Sequence, residues 1–443
     1  MIEYLKAKIG TNKHVKEVIK GSAFTFLAKI AGTALGLIAS LIIARYYGAN
    51  VIGTVAIINS VLAIFTIFGL MGTNVAILRL VPEYIEKYSI SEAFYIYKKV
   101  LLIVMGLSIL GGLVLYFGAS FIASKVFNNE SLKLFLLISA PFILIRTIST
   151  LNSETLRGLQ KIKLYALIQF LPSVITILFL ILLTYFFYNK YNPVYIMFAT
   201  NFIIFGILFY MLPKLFLIKD TRNSKISTSD IISLSFPMFL TSVMHLIIGQ
   251  SDILMLGIML NEHEVGIYSI VLKLATLTSF ILVAVNSMAA PKFSQLYHSG
   301  KINELKIVTQ SSAKLIFYTT LPIILIYIFA GFYILKIYGN EFTQGYYALI
   351  FLAIGQFVNA AAGSVGYFLD MTGGQKQFQY IVIIGAGLNI ILNLILIPKY
   401  GINGAAIASM ISIAFWNITA AVLIKRKYGF YISYFPFTSM KKD

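Results

Sequence analysis

The decapeptides LRGLQKIKLY (residues 156–165) and MTGGQKQFQY (371–380) share Gly158/Gly373, Gln160/Gln375, Lys161/Lys376 and Tyr165/Tyr380 in a chain of 443 residues. They lie 215 positions apart (156 to 371). Four matches in ten mean little unless the rest of the chain keeps that offset. It does, with small slips. Phe26-Leu27 matches Phe239-Leu240 at an offset of 213, and Gly53 in VIGTVAI matches Gly266 in VGIYSI at the same offset. Pro82 falls near the equivalent of Pro291, and KDTRNSKISTSD (219–230) is the single polar linker of its kind. The chain therefore reads as two homologous halves.

Composition says what each half is made of. Hydrophobic residues make up 59% of the chain and charged residues 12%, with a mean hydropathy of +0.87. A soluble domain of this length has no interior large enough for that much apolar surface, so the chain belongs in a membrane. Several stretches, among them Val100–Ser124, Leu164–Asn189 and Tyr400–Ile424, run past the ~20 apolar residues that span a bilayer core without one charge. The alternating ten-residue strands of a membrane barrel are missing.

Hydropathy, charges and Gly/Pro breaks predict twelve spanning helices. They cover 22–45, 52–78, 100–123, 134–152, 164–188, 193–213, 231–259, 265–290, 315–337, 344–369, 378–397 and 402–424. The expected fold is an all-α polytopic membrane protein of two six-helix bundles. An even number of spans per bundle gives both the same orientation, hence a pseudo-two-fold along the membrane normal. The expected domains are a basic interfacial arm (1–21), an N-terminal lobe (22–218), a cytoplasmic linker (219–230), a C-terminal lobe (231–424) and a basic tail (425–443). The apolar run after the arm is too long for a signal peptide and lacks its cleavage site, so it reads as a retained first helix.

Twelve spans leave both termini on one face. Of the 35 Lys and Arg, 25 lie on the terminal face, 6 on the other and four within helices. The positive-inside rule then makes both termini cytoplasmic, in a multi-pass protein of the cell membrane. The net charge of +19 is explained by that bias and by anionic lipid head groups as partners, so nucleic acid is not expected. The repeated GxQK becomes the equivalent cytoplasmic loop of each half. Its lysine marks topology and its glycine makes the turn. With no cysteine and four scattered histidines, neither a thiolate nor a metal centre is expected, and no cofactor.

SFPMFLTSVMHLIIGQSDILMLGIMLNEHEVGIYSIVLKL (235–274) resembles the seventh and eighth helices of polysaccharide flippases. These are the O-antigen and exopolysaccharide exporters of the multidrug/oligosaccharidyl-lipid/polysaccharide (MOP) superfamily. The cues are the serine-proline near the start, Ser251-Asp252 and the Val265-Gly266-x-Tyr268 turn. RYYGANVIGTVAI (45–57) and LRGLQKIKLY fit the first-half counterparts. The resemblance spans essentially the whole chain. It implies a MATE-like, V-shaped pair of bundles that flips a polyprenyl-phosphate-linked oligosaccharide from the inner to the outer leaflet.

Ionisable residues at membrane depth cost ~2.5–3.5 kcal/mol on insertion scales, so each needs a reason. Lys29 lies on a stripe with Ser22, Thr25, Thr33, Gly36 and Ser40. Ser242, His245, Gly249 and Asp252 share a face of helix seven, and Ser269, Lys273 and Thr276 share one of helix eight. Such stripes are expected to line a hydrated cavity. Across the repeat, Lys29 matches Ser242, Lys273 matches Ser60 and Asp252 matches Ala39 in position, so the charges are not inherited symmetrically.

The expected substrate contacts are Lys29, Lys273, Arg146, Ser242 and His245, a basic set suited to phosphate, pyrophosphate or acidic sugars. Against that stand snorkelling for Lys29 and Arg146, and a buried pair with Asp252 for Lys273. Asp252 is the one carboxylate well inside a span, a candidate for coupling transport to H+ or Na+, with His245 two turns away. A cation-coupled multidrug exporter of the same superfamily is the alternative, and a lipid-linked peptidoglycan-precursor flippase a further one. An enzyme is not expected: a membrane glycosyltransferase would need paired carboxylates or a large extramembrane domain.

Overall fold

The computed structural model describes residues 13–216 and 227–434, with side chains from residue 24 onward. The expected basic arm lies outside the described side chains. Most of the linker and the end of the basic tail lie outside the described residues.

Among the described residues the regular structure is helical. The helices are α1 (Lys13–Leu70), α2 (Thr73–Lys87), α3 (Ile90–Phe121), α4 (Leu132–Gly158), α5 (Ile162–Phe186), α6 (Asn192–Leu215) and α7 (Thr228–Met259). There follow α8 (Glu262–Ala275), α9 (Ser279–His298), α10 (Ile302–Tyr338), α11 (Tyr346–Ala362), α12 (Val365–Met371) and α13 (Gln375–Tyr428). Among the described residues, ten helical stretches are long and apolar enough to cross a membrane. Two of them are double length and are broken at a glycine, Gly48 (φ 78°) in α1 and Gly401 (φ 57°) in α13. Counting each as two gives twelve, the expected number. A positive φ is strained for any residue with a Cβ, which is why both reversals fall on glycine.

Local sequence explains the other ends. Ser89 caps α3, its hydroxyl accepting the Glu92 N–H at 3.2 Å. Asn261 does the same for α8, its Oδ1 accepting the Glu264 N–H at 3.1 Å, with Glu262 and Glu264 in the positive first turn. Ser227 and Asp230 cap α7 reciprocally, each backbone N–H bonding the other's side chain at 3.0 Å.

Three expected spans are interrupted. The second stops at Leu70, because Met71 and Gly72 adopt left-handed φ, and the chain restarts as the short α2. The eighth is divided by a 3₁₀ turn at Thr276–Thr278. The tenth ends at Gly363 (φ 75°) before α12. Hydropathy averages over a window and does not register a one-residue change of φ.

The GxQK turn also differs from expectation in its first copy. There the positive φ falls on Gln160 (58°), while Gly158 ends α4, where an added methyl would lie 3.3 Å from the Ile77 carbonyl oxygen. In the second copy Gly373 itself turns the chain (φ 80°) with open space around it. The same four letters serve close packing once and chain reversal once.

The chain divides into two compact units. Residues up to Tyr47 with Ile57–Leu246 make the first, and Gly48–Ala56 with Ile247 onward make the second. In the first, Ile77, Ile96, Val100, Leu151 and Leu212 bury a core between α2, α3, α4 and α6, closed by the rings of Phe94, Tyr97 and Phe216. In the second, Phe293, Phe368, Leu369 and Ile424 join α9, α12 and the end of α13. Large side chains such as Phe117, Tyr185 and Phe329 point outward, as lipid-facing residues do.

Candidate functional site

Asp252 sits on α7 in the second unit, 6% exposed. A buried carboxylate is tolerable only when its lone pairs are filled. Here four donors converge on it. Oδ1 accepts from Asn393 Nδ2 at 2.7 Å and from Asn389 Nδ2 at 3.3 Å, while Oδ2 accepts from the Tyr268 and Ser409 hydroxyls, each at 2.5 Å. A second layer locks the amides: Ser251 donates to Asn389 Oδ1 at 2.7 Å, and Asn389 Nδ2 reaches Ser409 Oγ at 3.2 Å. The group opens onto a cavity of about 250 Å³ lined by Asp252, Thr276, Gln356, Asn389, Ser409 and Trp416.

The chemistry of this donor set is hard oxygen with one negative charge. Such a set suits a monovalent cation or a proton better than a divalent or soft metal. Asn393 Oδ1 is buried with no hydrogen-bond partner. Turning that amide would bring its oxygen beside the carboxylate, so the residues fit a small cation with hard ligands.

In the first unit Arg146, on α4, is half-buried, and its Nη1 donates to Asn59 Oδ1 at 3.1 Å. Its own carbonyl accepts the Thr150 hydroxyl at 2.9 Å, and next to it Thr147 bonds Ser108 across to α3 at 2.7 Å. The guanidinium is thus oriented by a neutral amide.

The other expected contacts are placed more plainly. Lys29 is exposed on α1 and Lys273 is half-buried on α8. Ser242 bonds back to the Met238 carbonyl at 3.0 Å, Ser269 to Val265 at 2.7 Å, and Thr276 to Lys273 at 3.0 Å, so each hydroxyl donates its proton three or four residues back along the chain and keeps its lone pairs for a further donor. His245 is exposed and belongs, with Ser242, to the first unit, while Asp252 belongs to the second. Of the residues singled out from sequence, Asp252 alone is surrounded by a built polar cluster.

Its partners Asn389, Asn393 and Ser409 were not singled out. A signal existed: in GLNIILNLIL two asparagines stand four apart, on one face of an otherwise apolar helix.

A family model described as "Polysaccharide biosynthesis protein" matches residues 18–297, more than half of the chain. The chain belongs to that family. A second model, MatE, matches 237–395, the stretch that holds Asp252, Asn389 and Asn393.

Among curated relatives, the "Probable low-salt glycan biosynthesis flippase Agl15" of Haloferax volcanii is 29% identical over 164 residues, 37% of this chain and 35% of that protein. "Probable flippase AglR" of the same organism is 26% identical over 172 residues, 38% of this chain and 36% of that protein. The chain thus matches about a third of the length of these two relatives. The fold is shared with the "Lipid II flippase MurJ, inward closed conformation" at a TM-score of 0.76 and 18% identity, covering 92% of this chain and 87% of that one. A multidrug resistance MATE family transporter of the MOP superfamily superposes at 0.71 with 13% identity, covering 91% and 98%. The family member described here has the MOP fold and is a multi-pass membrane protein.

Proposed function

We propose that the chain is a flippase that moves a polyprenyl-phosphate-linked oligosaccharide from the inner to the outer leaflet by alternating access, with both termini cytoplasmic. The observation that carries this reading is Arg146, a guanidinium at membrane depth oriented by a neutral amide rather than cancelled by an acid. Arg146, Lys29 and Lys273 supply cationic contacts for the phosphate or pyrophosphate head group, with Ser242 and His245 as polar contacts for the glycan. Family membership and the two named flippases of Haloferax volcanii support a glycan cargo. The excess of basic residues on the terminal face supports the orientation.

Asp252 is the coupling site, taking a proton or Na+. Its burial, its oxygen-rich surroundings and the adjoining cavity support that role. The same cluster favours the second reading, a cation-coupled multidrug exporter.

The test uses purified protein in liposomes that carry a lipid-linked oligosaccharide in the inner leaflet, with exposure to an external lectin as the readout. Exposure that needs the protein and falls in Arg146→Ala and Lys29→Ala supports the flippase. No exposure, alongside ion-driven efflux of an organic cation that Asp252→Asn abolishes, transfers the chain to the exporter reading.

A further inference from the structure

We propose that Tyr268 is the positioning residue through which α8, the helix that carries Lys273, senses whether Asp252 holds its ion. The proposal rests on the reading of Asp252 as the coupling site.

Two helices besides α7 hold the carboxylate. Helix α13 contributes Asn389, Asn393 and Ser409, and α8 contributes the phenol of Tyr268. Tyr268 is fully buried, so its hydroxyl has no water to fall back on. It shares Oδ2 with Ser409, and both hydroxyls point their protons at that oxygen at 2.5 Å. A cation or proton that settles on Oδ2 competes with those two donated protons for its two lone pairs. At least one hydroxyl must then rotate or leave. Ser409 has other company, since Asn389 Nδ2 donates to it. The phenol is the hydrogen bond that α8 offers to the carboxylate, so ion arrival acts on α8 at Tyr268.

Helix α8 is built to transmit that change. Two residues before Tyr268, Gly266 lies so close to the Ala49 carbonyl oxygen that a methyl would stand 1.9 Å from it. Lys273 lies five residues after Tyr268, and directly beyond it the helix gives way to the 3₁₀ turn Thr276–Thr278, a common place for a helix to change direction. Tyr327 of α10 pins the Leu274 carbonyl at 2.7 Å just before that turn. Tyr268 thus stands between a tight contact and a hinge, on the segment that ends at a cargo cation.

The experiment compares wild type, Tyr268→Phe, Ser409→Ala and Asp252→Asn, as full chains. Flipping is measured in liposomes with sodium against choline, and in parallel with an imposed proton gradient. Ion binding is measured separately, as the sodium- or acid-induced shift in melting temperature of the purified protein. The expected result is that Tyr268→Phe keeps the melting shift while its ratio of flipping rates with and without ion falls to about one, coupling lost without binding. Ser409→Ala is expected to weaken the melting shift and keep the ratio above one.

Tyr268→Phe with the wild-type ratio overturns the proposal. So does loss of both shift and ratio, which would make the phenol a mere support of the site. Should Tyr268→Phe not fold, hydrogen exchange of residues 262–275 in the wild type decides. Exchange that the ion alters in the wild type but not in Asp252→Asn supports the proposal, and wild-type exchange indifferent to the ion overturns it. A wild type with no Asp252-dependent melting shift instead fails the coupling-site reading itself.

Discussion

Gly53 and Gly266 make the same contact with roles exchanged. A methyl on Gly53 would lie 1.8 Å from the carbonyl oxygen of Glu262, and one on Gly266 would lie 1.9 Å from that of Ala49. The four residues obey the repeat offset, since 262 is 49 plus 213 and 266 is 53 plus 213. Nearby, Glu341 accepts the Ala49 N–H at 2.9 Å and meets His263 Nε2 at 3.1 Å, which ties down the stretch that follows the Gly48 break. Two stretches related by the offset of 213 are each other's packing partner.

Because the opposing atoms are backbone, no rotamer change makes room for a side chain there. Gly266→Ala is expected to destabilise by about 1–3 kcal/mol, the usual range for overpacking, and Gly266→Val by more. Thermal melting of the detergent-purified variants checks this. Gly206→Ala, with nothing within 4 Å of its added methyl, serves as the control expected to melt like wild type or slightly above it.

Asn59 orients Arg146, so the pair should be separable by mutation. Arg146→Ala removes charge and geometry and is expected to lower flipping at least tenfold. Asn59→Leu leaves the charge but frees the guanidinium, with a loss of a few fold, in line with about 1 kcal/mol for one hydrogen bond. Arg146→Lys is expected to recover part of the rate if charge dominates. Initial rates of lectin exposure at matched protein density distinguish these outcomes, and equal rates in all variants would exclude Arg146 from cargo binding.

Asn393 gives Asp252 the shorter of its two amide hydrogen bonds, 2.7 Å against 3.3 Å from Asn389. Asn393→Ala leaves a buried carboxylate short of a donor, a loss of about 1–3 kcal/mol. Asp252→Asn combined with Asn393→Ala should cost less than the sum of the two single changes, because the neutral amide no longer needs the donor. Melting temperatures of the four proteins complete the cycle, and strict additivity would show that the 2.7 Å contact contributes nothing of its own.

The absence of native cysteine makes topology directly readable. Lys376→Cys, in the second GxQK turn, is expected to react with an impermeant maleimide only from the cytoplasmic side, and Lys190→Cys only from outside. Both positions are exposed. Reversed labelling would turn the chain over in the membrane and undo the cytoplasmic assignment of the termini.

Much of this was legible in the residues themselves. A bilayer imposes a length and a polarity on every span, and it forces the backbone to satisfy itself within each helix. Those constraints are local, so twelve spans and the paired turns at 156–165 and 371–380 follow from linear pattern alone, while several helix ends do not: α3 begins at Ile90 and α10 at Ile302, each ten or more residues ahead of the apolar run. Asp252 stood out for the same reason, as a carboxylate with no business in an apolar run unless something paid for it.

What pattern did not supply is who meets whom. Tyr268, Asn389, Asn393 and Ser409 are up to 157 positions from Asp252, and all four are uncharged and unremarkable in a hydropathy window. The breaks at Met71-Gly72, Gly363 and Thr276–Thr278 turn on the backbone angles of one to three residues, and Gly158 and Gly373 take different roles within one motif. Span count is set by the solvent, which every residue feels in sequence order. The polar cluster is set by packing between helices, and that relation exists only once the chain has folded.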